Sequence, residues 1–291
     1  MPTSEDYPDD VVRRISFEAG GGHGWKISAL TTPRDKPAPW KIVVITGSPS
    51  WAEYWAPVMA ALPQDREMLV VDRPGFAGSE PFDCVPDITV QAQALAPALA
   101  AAPGQKVLLI GQSYGGAIAS LMARAHPRQV HGLVLLSAFL GSPGPTAKFL
   151  LEHGSKVLGL LPRDLKHATI ECTGQASQLH LLHQALPALK VPIHVVHGDA
   201  DDFAPIDIAE RLARETRTRR PIRFQSVPGA NHFMNDAPPQ LLLEVIEACI
   251  PPAPLPLWKR VPLPNLRWPK LRLPQTIGAG GVRQRGLAAS I

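Results

Sequence analysis

Between Lys106 and Arg124 the chain changes character twice with almost nothing in between. Lys106-Val107-Leu108-Leu109-Ile110 is apolar at successive positions, as a strand covered on both faces requires. Ala117-Ile118-Ala119-Ser120-Leu121-Met122-Ala123-Arg124 follows as a helix pattern. Only Gly111-Gln112-Ser113-Tyr114-Gly115-Gly116 separates the two. A strand that enters a helix through so short a turn must bend its backbone sharply. Side chains beside such a turn would collide with it, so glycines stand on either side of the serine. The stretch therefore predicts a strand–turn–helix unit with Ser113 lifted out at the strand's end.

The same two-sided apolar signature recurs and predicts the architecture. Strand-like runs lie at 14–19, 25–30, 41–46, 68–71, 132–136, 193–197 and 222–227, with Gly20-Gly21-Gly22 marking a hairpin between the first two. Helical patterns fall between them at 51–62, 89–102, 205–217 and 239–250. Alternation of this kind predicts an α/β fold with a mostly parallel, doubly wound sheet and right-handed crossovers. One segment interrupts it. From 140 to 190 no strand-like run occurs, and short helices are expected at 146–161, 163–171 and 175–189. The expected organisation is a core of 10–139 and 191–250, a helical cap of 140–190 over the sheet, and a tail of 251–291. The tail is Pro-rich and basic, carries Trp258 and Trp268, and suits no regular element.

Composition narrows the partners. With 291 residues, 45% of them hydrophobic, the chain can bury one large core. Its net charge is +4, but the tail alone holds seven Lys or Arg and no acid, which leaves −3 for the rest. The basic balance therefore says nothing of a nucleic-acid partner for the main domain, and none is expected. An acidic partner or a membrane surface is an expectation for the tail alone. The three cysteines, Cys84, Cys172 and Cys249, are far apart, which argues against a disulfide framework and suits a reducing compartment. The N-terminus, MPTSEDYPDD, is acidic and has no apolar stretch of a secretory signal. A cytoplasmic location is the expectation.

Strand, tight turn and helix around Gly111–Gly115 match the G-x-S-x-G nucleophile elbow, in which the following helix aims its N-terminal N–H groups at the serine. A serine hydroxyl needs a base at neutral pH. Of the ten histidines, His232 stands in a loop between the last strand and the last helix, at the same sheet edge as Ser113. His197, before Gly198, is its nearest rival. The base in turn needs a carboxylate to fix its tautomer. His197-Gly198-Asp199-Ala200-Asp201-Asp202 offers three. Read as a metal loop, the same run lacks the glycine and terminal glutamate of a calcium site, and no metal is expected.

With these segments in view, the chain resembles an α/β-hydrolase-fold serine hydrolase with a helical cap over residues 10–250. GQSYG resembles the elbow. Thr46-Gly47-Ser48-Pro49 resembles the family's H-G-x loop, with Thr46 where a histidine is usual. Asp72-Arg73-Pro74-Gly75-Phe76-Ala77-Gly78-Ser79 resembles its D-x-x-G-x-G-x-S loop, with the second glycine one place late. GDADDFAP followed by GANHF completes the match. The family's acid lies three residues past the glycine, which selects Asp201 as the partner of His232 and Ser113. The oxyanion hole implied is the Tyr114 N–H with that of Ser48, since Pro49 has none. Trp51, Tyr54 and Trp55, together with Phe139 and Phe233, are the expected substrate-binding side chains. The resemblance implies an acyl-serine reaction on a small to medium apolar ester, thioester or amide. Perhydrolysis, C–C bond hydrolysis, acyl transfer and a non-catalytic binding module stand as its alternatives. No Gly-rich phosphate loop occurs, so no cofactor is expected.

Overall fold

In the computed structural model the described residues are 2–219, 222–236 and 238–250. The tail from 251 lies outside them, as do the expectations attached to it. The strands are β1 (Arg13–Glu18), β2 (Lys26–Thr31), β3 (Trp40–Ile45), β4 (Arg66–Val71), β5 (Lys106–Gln112), β6 (Val130–Leu136), β7 (Ile193–Gly198) and β8 (Arg223–Val227). They form one sheet in the order β1-β2-β4-β3-β5-β6-β7-β8. The pairs β1–β2 and β2–β4 are antiparallel and the others parallel, so β2 alone runs against the rest. β1 and β2 meet as the hairpin expected from the glycine run, with Glu18 opposite Lys26.

Inner strands alternate between two apolar layers. In β3, Val43 and Ile45 face one and Ile42 and Val44 the other; in β5, Val107 and Leu109 oppose Leu108 and Ile110. The helices are α1 (Ala56–Ala60), α2 (Ile88–Ala94), α3 (Gly115–Ala125), α4 (Pro145–Lys156), α5 (Arg163–Gly174), α6 (Leu179–Ala188), α7 (Ile206–Glu215) and α8 (Pro239–Cys249). α1 and α8 cover one layer, while α2, α3, α6 and α7 cover the other. This is the mostly parallel, doubly wound α/β sheet of the sequence reading.

Prolines shorten two of the expected helices. The run 89–102 becomes α2 and a 3-10 turn at Ala96–Leu99. Pro97 has no N–H to continue an α-helix, and its ring opposes the carbonyl four residues back. The run 51–62 likewise becomes a 3-10 turn, Ala52–Trp55, and the short α1, with Pro57 in its first turn. The strand-free segment 140–190 also divides. α4 and α5 pack on one another. α6 instead buries Leu182, Ala185 and Leu186, an i, i+3, i+4 stripe, with Leu182 and Leu186 in the same apolar layer as α3. α6, expected as part of the cap, thus packs with the body, apart from the α4–α5 pair.

β3 is followed by β4 on one side and β5 on the other, which makes its carboxyl end a switch point where α/β sheets bind ligands. Register brings the strand ends into line there: Ile45 lies opposite Gly111, Gln112 opposite Leu136, and Gly198 opposite Val227. The loops after β3, β5, β7 and β8 therefore converge on one edge.

Candidate active site

Ser113 follows β5 with φ at +50°, in the left-handed region that costs a serine strain. Tertiary contacts hold it there. Its N–H donates to Leu136 O at 3.0 Å, and its carbonyl accepts from Gly116 N at 3.0 Å and Phe139 N at 3.1 Å. The flanking glycines are required by close approach. A Cβ on Gly115 would lie 2.2 Å from Ile45 O and 2.6 Å from Thr46 O, so its obstacle is the end of β3 rather than the turn itself. A Cβ on Gly111 would meet Gly116 Cα at 2.6 Å. The loop after β3 crosses directly above: the Cβ position of Gly47 is 3.0 Å from Ser113 Cβ.

His232 reaches Ser113 from the loop after β8, with Nε2 2.9 Å from Oγ. Its Nδ1 lies 2.9 Å from Asp201 Oδ2 and 3.1 Å from Oδ1. Asp201 also accepts Phe203 N at 3.0 Å and Ala204 N at 2.8 Å on Oδ1. His197 Nε2 approaches Oδ2 at 3.2 Å, and the same nitrogen lies 2.6 Å from Ala204 O. Burial pushes the Asp201 carboxyl up, but the hydrogen bonds from His197 and His232 outweigh it and hold the group well below the usual carboxylate range. An ionised Asp201 only accepts, so the His232 proton sits on Nδ1. Nε2 is then a lone pair aimed at the Ser113 hydroxyl. Phe203 stacks on the imidazole at 5.1 Å and 19°. Gln112 ties the next loop in place through Asn235 Oδ1 at 2.6 Å.

The three aspartates of the loop after β7 have separate partners. Asp199 accepts Gly229 N and Asp202 accepts Thr146 Oγ1, so neither turns toward a histidine. Of the two rival bases, His197 is fully buried beneath Asp201 and does not bond Ser113. Ser48 and Tyr114 flank Ser113, one after β3 and the other at the cap of α3. Neither backbone N–H is hydrogen-bonded among the described residues.

Ser113 and His232 open onto a cavity of about 740 Å³. Trp51, Tyr54, Phe139 and Phe233 line it. Trp55 does not. It is 1% exposed, packs in the body, and donates its indole N–H to Gln112 Oε1 at 3.0 Å. The reason is the 3-10 turn: with three residues per turn, Trp51 and Tyr54 share a face and Trp55 turns away from it. α4, α5 and the segment between them contribute Leu150, Leu151, Val157, Leu161 and Leu165. Phe203, Thr169 and Cys172 were not anticipated. Phe203 stands two places after the acid, the one signal that could have found it. Cys172 lines the cavity with its thiol pushed up to about 12 by burial and the neighbouring Glu171.

The comparisons agree with this fold. A sequence family described as the alpha/beta hydrolase fold matches residues 41–169. A pyrethroid hydrolase of Sphingobium wenxiniae is 41% identical over 88 residues, which are 29% of this chain and 31% of that protein. A 2-hydroxy-6-oxononadienedioate/2-hydroxy-6-oxononatrienedioate hydrolase of Paraburkholderia phymatum is 26% identical over 204 residues, 57% of this chain and 71% of that one. Among solved structures, a thermophilic esterase from Thermogutta terrifontis superposes with a TM-score of 0.62 at 21% identity, covering 81% of this chain and 97% of its own. The pyrethroid hydrolase is thus matched over about a third of its length, and the esterase structure speaks to the fold. Sheet order, the serine turn at the switch point and the family match over residues 41–169 together give this chain the α/β-hydrolase fold.

Proposed function

We propose that the protein is a serine hydrolase of neutral, apolar carboxylic esters. One observation carries the reading: the line Asp201–His232–Ser113 is continuously hydrogen-bonded and ends at the wall of a large, mostly apolar cavity. In the first step Ser113 Oγ attacks the ester carbonyl carbon and its proton passes to His232 Nε2. The carbonyl oxygen becomes an oxyanion between the N–H groups of Ser48 and Tyr114. The intermediate collapses, and His232 returns the proton to the departing alkoxide, leaving an acyl-serine. Water, deprotonated by His232, then attacks the acyl carbon and releases acid and free serine. Asp201 stays ionised throughout and stabilises the imidazolium.

The lining supports a neutral substrate. Apart from His232, the basic side chains around the cavity are Lys156 and His153, both exposed cap residues. A doubly anionic substrate, such as the dioate in the name of the Paraburkholderia relative, would need more cationic partners than that. A neutral, apolar ester fits the lining better.

A fluorophosphonate probe and a p-nitrophenyl ester test the reading together. The protein should take up one probe per chain and turn over the ester, and Ser113→Ala should do neither. A protein that neither labels nor hydrolyses any ester would overturn the proposal and leave a binding module.

A further inference from the structure

Arg73 is a charge with no exposed surface, and the reaction just described does not use it. It follows β4 in the loop Asp72–Ser79. Its guanidinium grips in two directions. Toward the cap, Nη1 meets Glu171 Oε1 at 2.8 Å and Nη2 meets Oε2 at 2.8 Å, a bidentate pair with α5. Toward the body, Nε donates to Thr46 O at 3.0 Å and Nη2 to Gly47 O at 2.8 Å. Gln91 Oε1 takes a further proton at 2.6 Å. The guanidinium carbon also lies 4.8 Å from the ring centres of both Phe76 and Tyr114. Burial alone would lower the Arg73 pKa; Glu171 outweighs it, and the net direction is upward.

Gly47 C=O and Ser48 N–H belong to one trans peptide plane and point in opposite directions. Holding the carbonyl from behind fixes where the N–H aims, and a cation on the oxygen polarises the amide into a better donor. Glu171 completes the grip by accepting the Ser48 hydroxyl at 2.6 Å. Ser48 is thereby held through the Gly47 carbonyl of its own amide plane and through its side chain, which leaves its N–H as the unbonded group of that plane. Stability does not explain this arrangement. A buried ion pair is commonly matched or bettered by apolar residues of similar size, and an apolar face on α5 would fasten the cap as well.

We infer that Arg73 and Glu171 are a positioning pair that sets the Ser48 N–H for the oxyanion and makes that setting depend on α5 being seated on the body. The inference rests on the serine-hydrolase reading. It also gives the cap a role in the chemistry besides shaping the cavity. Asp164, His167 and Glu171 lie on one face of α5, and each bonds a loop at the site: Asp164 accepts Trp51 Nε1 at 2.6 Å, and His167 Nδ1 donates to Gly75 O at 2.8 Å.

Two variants test it, Arg73→Lys and the double substitution Arg73→Met with Glu171→Leu. The lysine keeps the charge but cannot fork between Gly47 O and Glu171. The double variant removes both charges while keeping volume, so no lone charge is buried. Each is assayed with p-nitrophenyl esters and with a trifluoromethyl ketone, whose serine adduct presents an oxyanion. Losing an oxyanion donor costs about 10²–10³ in kcat, so misaiming one should cost about 10- to 100-fold. KM should stay within about threefold, and the ketone's Ki should rise in step with the fall in kcat. Inhibition by the product alcohol, which has no oxyanion, should not change. A kcat within about twofold of the parent in either folded variant, or a raised KM at unchanged kcat, would overturn the inference and reduce the pair to a cap fastening. If the double variant does not fold, Arg73→Lys decides. Ser113→Ala is run in the same assay. Retained activity there removes the serine reading itself, whereas a dead Ser113→Ala beside fully active Arg73 variants removes only the pair.

Discussion

Asp201→Asn keeps the shape of the side chain and exchanges one oxygen for an NH2. The structure decides which one. Oδ1 accepts two backbone N–H groups, from Phe203 at 3.0 Å and Ala204 at 2.8 Å. An NH2 there would set donor against donor twice, with no freedom to adjust, so the amide oxygen stays at Oδ1. The NH2 then takes the Oδ2 position, 2.9 Å from His232 Nδ1 and 3.2 Å from His197 Nε2. His232 must give up its Nδ1 proton to meet it. The proton moves to Nε2, 2.9 Å from Ser113 Oγ, and the base becomes a donor facing a hydroxyl. The wrong tautomer costs about 10⁴ in kcat in a triad of this type. His197 still needs its Nε2 proton for Ala204 O, so there a donor faces a donor. A buried group left unsatisfied costs about 1–3 kcal/mol, and in a domain of this size each kcal/mol lowers Tm by about 2–4 °C. We therefore expect Asp201→Asn to lose about four decades of kcat with little change in KM, and to melt a few degrees below the parent. Asp199→Asn and Asp202→Asn are the internal controls: their carboxylates serve Gly229 N and Thr146 Oγ1, and activity should stay within a few-fold. Steady-state kinetics on a medium-chain p-nitrophenyl ester and a thermal melt read both. An Asp201→Asn protein within tenfold of the parent, or a crippled Asp199→Asn, would refute the assignment.

Four further outcomes follow from the same contacts. A cavity of about 740 Å³ lies in the upper half of the usual ligand-pocket range, and each buried methylene contributes about 0.8 kcal/mol. Across C2 to C16 p-nitrophenyl esters kcat/KM should thus climb roughly fourfold per carbon and level off at about C8; a flat series, or one still climbing at C16, would speak against an enclosed site. Because the Asp201 pKa is depressed in the fold, its contribution to stability is complete above the unfolded value of about 4 and is lost as pH falls through the folded one. The stability gap between the parent and Asp201→Asn should accordingly narrow below about pH 4 in urea titrations. Gly115→Ala drives a Cβ to 2.2 Å from Ile45 O, a backbone atom that cannot yield; overpacking of this kind costs about 1–3 kcal/mol or more, and the melt should fall well below the parent's. Cys172, its thiol held at about 12, should react with iodoacetamide at pH 8 far more slowly than a free cysteine, as peptide mass mapping would show.

Much of the fold was legible because its signals are local. Runs such as Val107–Ile110 are apolar on both faces whatever surrounds them, and every expected strand formed within two residues of its expected limits. Helix limits failed where a proline, as at Pro97, overrode a continuous apolar pattern. α6 was misassigned to the cap because an apolar stripe states that a helix is buried, not against what. At the site, Ser113 and His232 stood out as candidates through turn chemistry and position at strand ends, whereas Asp201 was separated from Asp199 and Asp202 only by the family resemblance. Trp55 was not legible, since a 3-10 turn and an α-helix place the same three aromatic residues on different faces.

The Arg73–Glu171 pair was illegible for a different reason. Its members are 98 positions apart, and nothing beside either residue announces the other. Reacting groups must converge on one atom, and that convergence leaves marks in sequence: glycines for close approach, short loops at one sheet edge, a carboxylate at a fixed distance from a turn. Groups that only hold other groups need no such marks, because a guanidinium can be delivered from any loop within reach. Arg73 bonds two backbone carbonyls, Thr46 O and Gly47 O, and a backbone carbonyl is carried by every residue type, so the contact itself leaves no mark in the sequence. The consequence is an asymmetry in the cap. α5 is bound to the body through Asp164, His167 and Glu171. Among the described residues α4 is held to the body only near its start, where Thr146 bonds Asp202 and Ala147 packs with Phe139 and Ala204; it otherwise packs on α5 and leaves Phe149 58% and Leu150 51% exposed. Displacing α5 would separate Glu171 from Arg73 and, on the inference above, release the Ser48 loop with it.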